Sequence, residues 1–62
     1  MALDTAQLSS LSTALDDLSN RVTALADEQH GALREDVAAD LYEVERHLQA
    51  ATRRLKAILD RA

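Results

Sequence analysis

Sixty-two residues make one domain at most, and a chain this short buries only about 60% of its unfolded surface, so its stability on its own is expected to be marginal. Cysteine is absent, which removes disulfides, thiolate nucleophiles and Cys-ligated zinc together and leaves oligomerisation as the supplement to a small core. A net charge of −4 favours solubility and argues against general binding to nucleic acid or anionic lipid, and the apolar runs are too short to span a membrane.

With no proline, tryptophan or phenylalanine and a single glycine, the chain lacks the residues that punctuate turns and fill strands. Its Ala-, Leu-, Asp- and Arg-rich vocabulary, of the kind a GC-rich bacterial genome encodes, is helical, so the expected fold class is all-α. The opening segment MALDTAQ has neither the basic region nor the apolar core of a secretory signal, and a cytoplasmic protein is expected.

The first predicted element is marked by Leu8, Leu11, Leu15, Leu18, Val22 and Leu25, whose spacings alternate between three and four as the a and d positions of successive heptads do. Asp4 can cap this helix, Gln7 can complete a capping box, and Leu3 can pack on Leu8 as a hydrophobic staple. The spacing predicts a helix over about 5–29. The polar stretch that follows contains Gly31, placed where a left-handed helix cap favours glycine, and predicts a turn at about 30–32.

A second stripe, Val37, Leu41, Val44, Leu48, Ala51, Leu55 and Ile58, repeats the alternation in a different frame; Leu33 extends it backwards and Leu59 widens it. It predicts a helix over about 33–61. Acids crowd its first half (Glu35, Asp36, Asp40, Glu43 and Glu45) and bases its last (Arg46, Arg53, Arg54, Lys56 and Arg61), an order that complements the helix dipole. An antiparallel hairpin explains the frame change and sets the basic end beside Asp4, Asp16 and Asp17. The alternative is a single long coiled-coil helix of roughly 90 Å with a stutter, bridged by Gln29 and Leu33.

Two amphipathic helices shield each other only in part, so further helices are expected to finish the core. Small residues beside the first stripe (Ser12, Ala14, Ser19 and Ala26), and Ala38 and Leu59 beside the second, permit close approach of another helix. The expected assembly is a homodimer of hairpins forming a four-helix bundle about a twofold axis. The leucines, valines and isoleucine of the stripes, Leu33 and Leu59 included, are its self-association seam.

Few constellations could carry chemistry. Asp36, Asp40, Glu43 and His47 share one side of the second helix, but the Glu-x-x-His pair of bundle metal sites is absent and no metal or cofactor is expected. Arg46, Arg53, Arg54, Lys56 and Arg61 could contact an anion, yet no aromatic residue interleaves with them. Tyr42, the sole aromatic, lies beside the seam as an edge-packing residue or a partner contact. His30 falls at the turn with no second ligand near, and the serines and threonines from Ser9 to Thr23 have no neighbouring base. The reading is therefore a non-enzymatic, self-associating interaction or assembly module whose partners are itself and a larger protein, as adaptor or regulator. Its alternative is a nucleic-acid- or nucleotide-binding regulator using the basic end.

Overall fold

The computed structural model describes residues 3–61, and they form two helices, α1 (Thr5–Gly31) and α2 (Glu35–Arg61), of 27 residues each. At 1.5 Å per residue each helix is about 40 Å long. The described residues measure 50 × 14 × 14 Å, so the chain folds back on itself as an antiparallel hairpin and is not one continuous helix.

Asp4 caps α1 as its position suggests. Its backbone is extended, and its Oδ1 accepts the backbone N–H of Gln7 at 2.9 Å. The end of α1 differs from the expected one: the helix continues through Gly31, and the left-handed residue is Leu33, with φ 62°. Two hydrogen bonds explain this. Leu33 N–H donates to the His30 carbonyl at 3.0 Å and Arg34 N–H to the Gln29 carbonyl at 2.9 Å, the paired bonds of a Schellman cap around Ala32. The position that favours glycine is therefore occupied by leucine, two residues past the only glycine. Leu33 is 85% exposed in the turn and belongs to neither helix, and α2 begins at Glu35, not at 33.

The packing between α1 and α2 divides each aliphatic stripe in two. In α1 the buried residues are Ser12, Ser19 and Ala26, alternating with half-buried Leu8, Leu15 and Val22. In α2, buried Ala38 and Thr52 alternate with half-buried Leu41, Leu48, Leu55 and Leu59, and the half-buried Glu45 takes a place in the same column. Both seams keep the three-four alternation of a heptad, but in a frame shifted from the predicted one. Of the small residues expected on the outer flanks, Ala14 stays exposed, while Ser12, Ser19, Ala26 and Ala38 form the inner contact instead. Their size lets the two backbones approach closely, and that approach holds the neighbouring leucines at the edge of the contact.

Close approach also leaves hydroxyls between the helices. Thr52 Oγ1 donates to the Leu48 carbonyl at 3.0 Å and Thr23 Oγ1 to the Ser19 carbonyl at 2.9 Å, so each is satisfied within its own helix. Ser12 and Ser19 Oγ are buried with no hydrogen-bond partner among the described residues, which costs stability.

Two substitutions follow from these local features. Leu33→Gly removes a left-handed leucine and should raise the unfolding free energy by about 1 kcal/mol in urea titrations. Ser19→Ala deletes an unpartnered hydroxyl and improves helix propensity, and should stabilise by a similar, roughly 1 kcal/mol increment. Loss of stability in either variant would show that the cap or the seam is assigned wrongly.

Candidate association interface

The hairpin has two unlike long faces, and their identities follow from the seam. On a helix, a step of four residues beyond a seam position turns about 40° one way, while a step back of one residue turns about 100° the other. Four residues past Ser12, Ala26, Ala38 and Thr52 stand Asp16, His30, Tyr42 and Lys56, and all of them form contacts between the helices. Lys56 Nζ lies 3.7 Å from Asp16 Oδ2, His30 Nδ1 lies 2.9 Å from Glu35 Oε1 across the turn, and the Tyr42 hydroxyl donates to Asp27 Oδ1. This is the polar face, laced from the turn to the level of Asp16 and Lys56.

One residue before the seam positions of α1 stand Leu11, Leu18 and Leu25. Their counterparts on α2 are Val37, Val44, Ala51 and Ile58. Because the polar flanks of both helices meet on one side, these columns share the other. Leu11, Leu18 and Leu25 are 49%, 43% and 45% exposed and Val44 is 45% exposed, while Ile58 is half-buried. The result is a continuous apolar face running most of the length of the hairpin.

Two measures show how incomplete the core is. No leucine, valine or isoleucine among the described residues is buried; only Ala26 and Ala38 form the apolar interior. The accessible surface is 4709 Å², whereas a compact monomer of 6.8 kDa exposes about 3,950 Å². The excess is close to the roughly 800 Å² that each partner contributes to a stable interface. The described residues enclose no pocket, and no three His, Asp or Glu side chains among them are placed to hold a metal ion.

The remaining residues singled out from sequence lie elsewhere. Glu43 sits 2.6 Å from Arg46 and 3.7 Å from His47, a surface cluster on α2, while Asp36 and Asp40 take no part in it. Of the basic end, Lys56 is engaged by Asp16 and Arg46 by Glu43; Arg53, Arg54 and Arg61 have no ion-pair partner among the described residues. Tyr42 packs at the seam edge on the polar face, its hydroxyl committed to Asp27. What sequence reading missed is the inward column Ser12, Ser19 and Ala26. Its signal was a seven-residue recurrence of small side chains immediately after the leucines.

A scan against protein families, a comparison with curated proteins and a comparison with solved structures each returned no match. No helix of the described residues is long and apolar enough to cross a membrane.

The polar face makes a prediction about Tyr42. Its hydroxyl pKa is raised above the ordinary 10.0, first by the hydrogen bond to Asp27, then by desolvation and by the charges of Asp27, Glu35 and Glu45. A folded-state pKa above the unfolded one means that the bond stabilises the hairpin at neutral pH and is lost as pH rises through the folded value. Ultraviolet titration should show Asp27→Asn bringing tyrosine ionisation back toward 10.0; an unchanged titration would mean the hydroxyl is not bound there.

Proposed function

We propose that this chain is a helical assembly module: it pairs with itself through the apolar face and presents the charged exterior of the resulting bundle to a larger protein, as an adaptor or regulator. The observation that carries this reading is the exposed double column of Leu11, Leu18 and Leu25 with Val37 and Val44, continued by the half-buried Ile58, beside an interior in which no large apolar side chain among the described residues is buried. Leucines so arranged are a liability in a solitary hairpin and an interface in an assembly.

The angular position of the stripes supports the same reading. The midline of each aliphatic stripe is turned about 50° from the line joining the two helices, half a heptad's seam spacing to one side. In a square array of four helices the common axis lies 45° from the line to each neighbour. Each stripe is thus aimed near the centre of a four-helix bundle, with one column for its hairpin partner and one for a helix of another protomer. The alternative, an anion-binding regulator acting through the basic end, has less on its side: two of its five bases are already paired and the chain as a whole is acidic.

Self-association ties folding to concentration. The melting temperature followed by circular dichroism should rise by about 5 °C for each tenfold increase in protein concentration, as mass action on a folded dimer requires. Leu18→Asp places a carboxylate on the apolar face without touching the α1–α2 contact, and should weaken association at least about 100-fold. A concentration-independent melting temperature, together with unchanged helicity in Leu18→Asp, would refute the reading.

A further inference from the structure

We infer that the second copy docks on the apolar face antiparallel to the first, with the two turns at opposite ends of the bundle and the twofold axis crossing at the level of Leu18 and Ala51. This rests on the self-association proposed above and adds its geometry.

The contact between Tyr42 and Asp27 sets the level of one helix against the other. Nine residues back from Asp27 is Leu18, and nine residues on from Tyr42 is Ala51, so these two stand at one height. Apart from Val37 near the turn, the residues of the two columns are placed symmetrically about that height. Leu11 and Leu25 lie seven residues either side of Leu18, and Val44 and Ile58 lie seven either side of Ala51. A twofold axis across the helices at this level brings Leu18 onto its own copy, with the small Ala51 flanking the crowded centre. It also brings Leu11 onto Leu25 of the second copy, and Val44 onto Ile58 of the second copy. The central layer then sets two leucines beside two alanines, so that the self-paired Leu18 has room to pack.

Packing by itself permits a second arrangement, with the axis running along the helices and both turns at one end. Charge at the rim of the face separates the two. The rim of α1 carries Gln7, Ala14, Arg21 and Glu28, and that of α2 carries Asp40, His47, Arg54 and Arg61. With the turns at one end, each α1 rim would meet an α2 rim at its own level, setting Glu28 beside Asp40 twice in every dimer. With the turns at opposite ends, each rim meets its own reverse: Asp40 faces Arg61 of the second copy, His47 faces Arg54, Gln7 faces Glu28, and Ala14 faces Arg21. Neither Asp40 nor Arg61 has an ion-pair partner among the described residues, so both are available for that contact. Like charges held together oppose one arrangement, and opposite charges favour the other.

The absence of cysteine makes the test direct, because a single introduced thiol reports alone. A spin label on Ala32→Cys, in the exposed turn, should give an interprotomer distance near the 50 Å length of the hairpin in pulsed dipolar measurements. Turns at one end would give less than about 20 Å, two interhelical spacings, and would overturn the antiparallel arrangement while leaving self-association standing. Absence of any dipolar signal, with a monomeric mass, would overturn both. A charge test reads the same geometry: Asp40→Arg should weaken the dimer about three- to tenfold, and adding Arg61→Asp should restore it. The two positions are 21 residues apart on one straight helix, about 30 Å, so rescue can arise only between copies. Tighter association in Asp40→Arg alone, from relief of a contact with Glu28, would again select the same-end arrangement against this one.

Discussion

Small side chains packed between α1 and α2 decide how both helices are turned. Ser12, Ser19 and Ala26 lie against a column that includes Ala38 and Thr52, and these are the only buried residues described. A seam of leucines would have centred each aliphatic stripe on the neighbouring helix and consumed it there. A seam of small residues rotates both helices so that half of each stripe is left over. The apolar face is thus a consequence of what fills the narrowest gap, and the polar face, with its three contacts between the helices, is the opposite flank of the same rotation.

The energetic consequence is an unfinished core. Burying a Leu or Val side chain completely contributes about 1.5–3 kcal/mol, and here none is completely buried, while Ser12 and Ser19 bring unpartnered hydroxyls into the interior. The turn adds strain of its own, since a leucine takes the left-handed position of the cap. Exposed pairs such as Arg46 with Glu43 and Lys56 with Asp16 contribute little against these terms. The main stabilising resource not used within the hairpin is the apolar face, and covering it would satisfy stability and function by one contact.

Much of this was legible from residue order. Asp4 as the cap of α1, the fold-back near Gly31 and the acid-to-base gradient along α2 are local signals, each set by a few neighbouring residues, and the structure has all three. The inward face of each helix was not legible in the same way. Leu11 and Leu15 are equally apolar and equally well placed on the stripe; which of them turns toward α2 depends on whether Ser12 on one side or Leu18 on the other can be packed more closely, and that is a property of the pair of helices. The handling of the turn failed for a related reason. Glycine at 31 suggested a left-handed cap there, but the paired hydrogen bonds from Leu33 and Arg34 carry α1 two residues beyond the expected end and leave the unusual backbone angle to leucine.

On this arrangement the leftover columns belong against a second copy of the chain. Sedimentation equilibrium of the unlabelled protein across the micromolar range tests it most directly. A dimer of hairpins gives a mass of twice 6.8 kDa that falls toward a largely unfolded monomer on dilution. A folded helical species of 6.8 kDa at every concentration would contradict it.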